Sequence, residues 1–370
     1  MTLQITAAVA REHGAPLTIE RLELDDIQPN EVRVRIVSVG VCHTDAIVRD
    51  GIYPTPLPAV LGHEGAGIVE EVGSAVRSVV AGDHVVLGAA YCGYCRRCRA
   101  GEPAYCEHLF AEDFGGRRRD GSSALKSEGE VVSSHFFGQS SFATYADVVE
   151  ESVIKVDKDV PLEHLGPLGC GLNTGAGTVL NELKPPAGSS LVVFGTGAVG
   201  CAAIMAAKIA GCTTIIAVDI VPSRLELAKE LGATHVIDSK NEDIASALDL
   251  ITNGDGVDFA VDTTARPEVL RAAADGLGVR GTLALVGAAR PGSEVSFEYG
   301  SSLVKGWTFK TVVQGSSVPQ VFIPRLISLW REGRFPFEKL IREYTLDEIN
   351  EGFEDSRNGS VIKPVVVFPL

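Results

Sequence analysis

Three observations predict an α/β chain of two domains. Strand-sized and helix-sized segments alternate from residue 190 onward, and short β-rich pieces fill the first 160 residues. The length of 370 residues is enough for two full hydrophobic cores.

In the first region, EVRVRIVSVG, HEGAGIVEEVG and DHVVLGA place apolar residues in alternation or short runs between Gly, Pro and Asp breaks. Residues 111 to 134 are polar and arginine-bearing and read as a long excursion, with Arg117, Arg118 and Arg119 on a solvated loop face. From residue 190, SLVVF, TTIIAVD, HVID, VDFAVDTT, TLALVG and WTFKTVV read as six strands. VGCAAIMAAKIAG is a small-residue helix stopped at Gly211, and PSRLELAKELG is a helix with Pro222 in its first turn and a stop at Gly232. Six strands separated by helix-sized segments predict a doubly wound parallel six-stranded sheet. After about residue 315, QVFIPRLISLWREGRF has helical apolar spacing. The tail VIKPVVVF is a terminal strand expected to return to the first domain.

Charge and composition narrow the function. The formal charge is −15, from 33 basic and 48 acidic side chains, which disfavours nucleic acid or an anionic membrane as partner. No run of about 20 apolar residues is present, and the N-terminal segment lacks a signal pattern, so a cytoplasmic protein is expected. The eight cysteines then read as metal ligands and buried thiols.

Cys92, Cys95, Cys98 and Cys106 follow the spacing C-x2-C-x2-C-x7-C. Short C-x2-C steps let successive sulfurs converge, and four thiolates suit tetrahedral zinc. Two disulfides or an iron–sulfur cluster are the alternatives. A closed four-thiolate site has no open position, so it organises a loop and catalyses nothing by itself.

The strand SLVVF runs into Gly195-Thr-Gly197-Ala-Val-Gly200, a helix follows, and the next strand ends in Asp219. Strand, glycine turn, helix and acid in that order predict a dinucleotide site with the pyrophosphate at the helix N-terminus. A carboxylate at Asp219 suits the ribose hydroxyls of NAD and repels the 2′-phosphate of NADP. Arg224 reads as a ribose-edge or solvated residue.

Cys42, His63 and Cys170 each sit beside glycine-rich turns, in GVCHTD, LGHEG and GPLGCGLNTG. Spacing cannot join them. A lone cysteine is commonly a small buried hydrophobe and a lone histidine commonly has a structural partner, so a two-cysteine, one-histidine metal site is one option among several.

GHEGAGIVEEVG, the four clustered cysteines, the GxGxxG turn and CGLNTG match in order and spacing. On them the whole chain resembles the zinc-dependent medium-chain alcohol dehydrogenases. VCHTDAIVRDG, FFGQSSFATYA, ELGATH and FIPRLI…GRFPFEKLI are similar to the aryl-alcohol (benzyl alcohol) and geraniol dehydrogenase branch. The resemblance implies a GroES-like catalytic domain over 1–171 and 315–370, with a structural zinc lobe at about 90–107. It implies a Rossmann NAD-binding domain over 172–314, with the active site in the cleft between them. Two zinc ions per subunit are implied, a structural one on the four clustered cysteines and a catalytic one on Cys42, His63 and Cys170. Asp45 would orient His63, and Glu64 would sit behind the metal. The implied reaction is reversible oxidation of a primary aryl or allylic alcohol to the aldehyde with hydride transfer to NAD.

Thr44 matches the hydroxyl that carries the alcohol proton away in that family. Where many members complete the relay with a histidine this chain has Ile47, so the proton must leave by another route. His43 and Lys363 match pyrophosphate neighbours, with a surface histidine and a solvated lysine as the bland alternatives. Thr174, Val199 and Val286 fall on the implied cofactor face. Tyr53, Phe136 and Phe137 fall where the family lines its substrate cleft. Ala89, between Gly88 and Ala90, stands where relatives carry a bulky phenylalanine, which implies a wider inner pocket for a neutral, apolar alcohol. The expected partner is such an alcohol and its aldehyde, and the expected assembly a homodimer or homotetramer. The competing readings are a formaldehyde–thiol adduct, secondary-alcohol or polyol dehydrogenase and, in another class, a non-catalytic NAD(H)-binding zinc protein.

Overall fold

The computed structural model describes residues 2–369, which divide into two compact units. The first contains residues up to Cys170, Val318–Arg325 and the chain from Glu338 onward. The second contains Gly171–Ser317 and Leu326–Phe337. The stretch 326–337 thus clusters with the second unit, where the sequence reading kept everything after 315 in the first.

The first unit is β-rich. Its strands are β1 (Leu3–Ala10), β2 (Thr18–Leu24), β3 (Glu31–Gly40), β4 (Ala59–Val60), β5 (Gly65–Val72), β6 (His84–Leu87), β7 (Leu125–Ser127), β8 (Glu130–Val132), β9 (Tyr145–Val149) and β10 (Val153–Val156). One sheet has the order β4-β1-β2-β7-β8. Short helices carry functional loops: α1 (His43–Arg49), α2 (Arg96–Arg99) and α3 (Leu109–Phe114). The alternation in EVRVRIVSVG does become β3, and β3 is the hub. It pairs with β5 and β9, and both of its ends lead toward the features described below.

In the second unit, α4 (Gly171–Gly177) precedes the parallel sheet. Its strands are β11 (Ser190–Phe194), β12 (Thr214–Asp219), β13 (His235–Asp238), β14 (Val257–Asp262), β15 (Leu277–Leu285) and β16 (Thr308–Thr311). The order β13-β12-β11-β14-β15-β16, with every pairing parallel, is the doubly wound order that reverses beside the first strand. The helix α5 (Ala198–Ala210) is almost all alanine, glycine and small apolar residues, which lets it lie close on β11. The tail forms β17 (Ile341–Tyr344) and β18 (Lys363–Val367), and β18 pairs antiparallel with β3. The expected return of the tail is therefore observed, and it sets Lys363 beside the end of β3.

Arg118 departs from the solvated loop face expected of the arginine run. It is buried at 7% exposure, and its guanidinium donates to both Glu31 oxygens at 2.8 Å. His135 Nε2 lies 2.9 Å from Glu31 Oε1, and Arg33 grips Asp147 with two bonds of 2.8 and 2.9 Å. Burial drives the Glu31 carboxyl upward, but His135 and Arg118 more than offset it and hold it at about 2. Glu31 and Arg33 project from the start of β3 and Asp147 from β9, so this ion network clamps the strand pair to the excursion that sequence reading left in solvent.

Candidate active site and metal centres

The four-cysteine lobe is built locally. Backbone amides of Cys95, Cys98 and Cys92 donate to the sulfurs of Cys92, Cys95 and Cys106 at 3.3–3.4 Å. The amides of Glu107 and His108 add bonds to Cys95 and Cys106. Amide donors favour thiolate, and the Cys95 thiol is lowered to about 6, chiefly by the Cys98 amide, while burial pushes Cys98 and Cys106 up. The four sulfurs all lie within 4.8 Å of one another, the spacing of a tetrahedral thiolate cage. All eight cysteines are thiols, so the disulfide alternative is not the one the structure adopts.

The second cluster gathers Cys42, His63, Glu64 and Cys170, whose donor atoms also lie within 4.8 Å of one another. Cys42 caps α1, and Asp45 in the first turn closes a capping box by accepting the Cys42 amide at 2.9 Å. The other Asp45 oxygen accepts from Gly62 N and lies 2.9 Å from His63 Nδ1. That fixes the tautomer: Nδ1 carries the proton, and Nε2 keeps its lone pair. His63 Nε2 is fully buried and has no hydrogen-bond partner among the described residues. An orphaned imidazole lone pair facing two sulfurs is what a zinc ion would satisfy, so the donor set fits the metal. Hydrogen bonding between the two thiols lowers Cys42 well below an ordinary thiol and raises Cys170 well above it. Metal binding requires both as thiolates.

Glu64 and Lys363 form a buried pair behind this cluster. Lys363 Nζ donates to both Glu64 oxygens at 3.0 and 2.9 Å and to Val41 O at 3.1 Å. All three ammonium protons are committed inside the first unit, and the side chain is 4% exposed. This excludes the solvated-lysine alternative for Lys363. Burial raises the Glu64 carboxyl to about 7 against the pull of Lys363.

An aromatic wall stands against the imidazole. Phe137 stacks on His63 at 4.4 Å with an interplanar angle of 26°, and Phe136 meets the ring edge-on at 5.5 Å. Phe114 joins Phe137 at 5.1 Å and Tyr53 at 5.5 Å. Tyr53, Phe136 and Phe137 thus lie in one aromatic cluster with Phe114. Ala89 is half-buried against the same core. Phe114 was missed because it lies in the stretch read as a polar excursion. Thr44 Oγ1 is 4.0 Å from Cys42 Sγ, His43 is exposed on the outer face of α1, and Ile47 is buried.

In the second unit the glycine turn separates its duties. Gly195 has φ +85° and needs glycine for its backbone, while a Cβ on Gly200 would sit 1.9 Å from Gly195 O. A Cβ on Gly197 would meet nothing within 4 Å, so the open side of the turn lies at the start of α5, where a pyrophosphate fits. Asp219 accepts four hydrogen bonds, from the Thr196 amide and hydroxyl and from the amides of Ile220 and Val221. It therefore also ties the glycine turn to the end of β12, a role sequence reading did not assign. Arg224 Nε is buried without a partner among the described residues. Val199 lies on α5, Thr174 on α4, and Val286 follows β15 with its amide on Asp262 O.

A doubly wound nucleotide-type sheet and two zinc-competent donor clusters define a class, the zinc-containing oxidoreductases. Residues 28–158 match the family described as alcohol dehydrogenase GroES-like domain, and residues 198–330 match the zinc-binding dehydrogenase family. A geraniol dehydrogenase of Castellaniella defragrans is 43% identical over 364 residues, covering 98% of this chain and 97% of that protein. The benzyl alcohol dehydrogenase of Acinetobacter calcoaceticus has a similar structure, with TM-score 0.96, 49% identity and coverage of 99% of this chain and 100% of that one. An alcohol dehydrogenase zinc-binding domain protein of Burkholderia ambifaria reaches TM-score 0.98 at 53% identity over 100% of both chains. The chain belongs to the zinc-binding alcohol dehydrogenase family and is an enzyme of that kind.

Proposed function

We propose that the enzyme oxidises apolar primary alcohols of the aryl or allylic type, such as benzyl alcohol and geraniol, to aldehydes with NAD as hydride acceptor. The observation that carries this is His63, held by Asp45 on one side and stacked by Phe137 on its face, with its bare Nε2 beside Cys42 and Cys170. When bound, zinc supplies Lewis acidity that makes an alcohol more acidic, and NAD accepts the hydride.

The chain's own residues do the rest. Asp45 keeps the imidazole in its donor tautomer and fixed orientation. Buried Phe114, Phe136 and Phe137 keep water from the imidazole, and half-buried Tyr53 extends this apolar wall toward a substrate. Ala89 leaves room where a larger side chain would narrow the pocket. Thr44 Oγ1, beside Cys42, is placed to relay the substrate's hydroxyl proton, releasing its own toward the cofactor ribose and water as it accepts, because buried Ile47 offers no imidazole for that step. Asp219 favours NAD over NADP. Two zinc ions per subunit follow from the two donor clusters.

The assembly is a homo-oligomer through β16. That strand pairs only with β15 among the described residues, and Leu303 and Val304 near it are 65% and 84% exposed. No helix among the described residues is long and apolar enough to cross a membrane. A cytoplasmic setting is favoured by cysteines gathered as metal-donor clusters, which need thiolates kept reduced.

NADH formation with benzyl alcohol, geraniol, ethanol and a formaldehyde–thiol adduct, each with NAD and NADP, tests the proposal. Turnover of the first two with NAD is expected. Turnover confined to the thiol adduct would reassign the substrate class.

A further inference from the structure

The segment between β8 and β9 is wound unusually tightly. His135, Phe137 and Ser140 have φ of 59°, 52° and 57°, and Gly138 lies between them at 69°. Three non-glycine residues in the left-handed region within six positions persist only where surrounding contacts over-determine them. Ser140 Oγ ties the segment to Phe136 N and Val60 O, and the His135 ring ties it to Ser134 and Glu31. These bonds place the Phe136–Phe137 pair against His63.

At the centre is Gln139, 1% exposed. Its Nε2 donates to His63 O at 3.1 Å and to Gly88 O at 3.0 Å. Its Oε1 accepts from Gly65 N at 3.1 Å and from Ser141 Oγ at 2.6 Å. A carboxamide has two donor hydrogens and two acceptor lone pairs, and all four are used. The donors face carbonyls and the acceptor faces an amide and a hydroxyl, so the orientation of the amide is fixed by its partners. His63 C=O and Gly65 N–H are the groups a neighbouring parallel strand would bind. The side chain thus acts as a single-residue strand partner for the loop that carries His63.

We propose that Gln139 is a positioning residue for the metal-binding imidazole. By holding the backbone on both sides of Glu64 it aims His63 Nε2 at Cys42 and Cys170. By holding Gly88 it locks the small-residue side of the pocket to the same frame. The inference rests on Cys42, His63 and Cys170 being the metal ligands.

The test compares wild-type holoenzyme with Gln139→Met and Ser141→Ala. Each is assayed for zinc per subunit, for the rate of zinc release to a chelator, for the visible spectrum of the cobalt-substituted form, and for kcat and KM with benzyl alcohol. Gln139→Met is expected to keep the four-cysteine metal and to release the other about 10- to 100-fold faster, with an altered cobalt spectrum. Its kcat should fall more than its KM rises. Ser141→Ala, which removes one of the four bonds, should speed release a few-fold. Wild-type release rate and spectrum in a folded Gln139→Met would overturn the inference. If Gln139→Met does not fold, Ser141→Ala decides alone, and release at the wild-type rate overturns it. A wild-type enzyme holding one zinc would instead sink the ligand assignment.

Discussion

The two candidate metal centres of the first unit share cysteine sulfurs as donors but are built on opposite architectures. The four-cysteine lobe takes all its sulfurs from residues 92–106, and its own amides bind those sulfurs. The other centre draws Cys42 from the residue before α1, His63 from the turn before β5 and Cys170 from the end of the unit's first stretch. It depends on Asp45, Gln139, Phe137 and the Glu64–Lys363 pair to bring them together. A closed, self-supporting cage suits a structural role. A centre held from outside by the protein suits a catalytic role, and its geometry is only as good as its supports.

His63→Ala breaks that contrast most sharply. It should remove the catalytic metal, lower kcat/KM by about 10³-fold or more, and leave the four-cysteine metal in place. Zinc per subunit and NADH formation measure both. Retention of wild-type turnover would show that the centre does not serve catalysis.

Arg118→Met tests a support of a different kind. Removing one partner of a buried ion pair costs about 3–5 kcal/mol, because the Glu31 carboxylate is left without its guanidinium. Denaturant unfolding reads this directly. The acid limb gives a further check. The Glu31 carboxyl lies at about 2 in the folded chain, below its ordinary 4.5. The unfolded chain therefore binds that proton more readily. The contribution of Glu31 is fully present above pH 4.5 and is lost as pH falls toward 2. Glu31→Gln should flatten the loss of stability over that window. An unchanged acid limb would mean that other carboxylates dominate it.

Asp45→Asn keeps the size of the side chain but weakens its hold on Nδ1–H. Metal affinity or activity should fall about 10- to 100-fold at the Cys42 centre, with no change at the four-cysteine lobe. Equal loosening of both centres would mean that Asp45 acts through general stability. The smallest effect is expected from Ala89→Phe. Narrowing the pocket should shift kcat/KM from benzyl alcohol toward ethanol by roughly 10-fold, the scale of a few methylenes of fit. The ratio of the two specificity constants checks it.

The same contrast explains what the sequence disclosed. Local patterns were readable: the cysteine spacing, the glycine turn and all six parallel strands stand where their apolar runs and breaks put them. The proposed ligands Cys42, His63 and Cys170 were joined only by resemblance, because nothing in their spacing requires them to meet. Arg118 was misplaced, and the ion pair of Lys363 went unread, for a related reason. A basic residue shows no partner in sequence until a distant carboxylate is known to face it, and Glu31 and Glu64 lie 87 and 299 positions away. Gln139 gave one usable signal, a lone amide inside the aromatic and small-residue run FFGQSSFA, but its partners His63, Gly65 and Gly88 appear only in the fold.

Stepwise chelation of the wild-type enzyme is the most direct test of the division of labour. Zinc per subunit, turnover of benzyl alcohol with NAD and thermal stability would be followed on the same samples. The account predicts two zinc ions, and it predicts that the first to leave takes the activity with it while the folded structure persists. Loss of the first zinc with full activity, or loss of activity only as the protein unfolds, would contradict it.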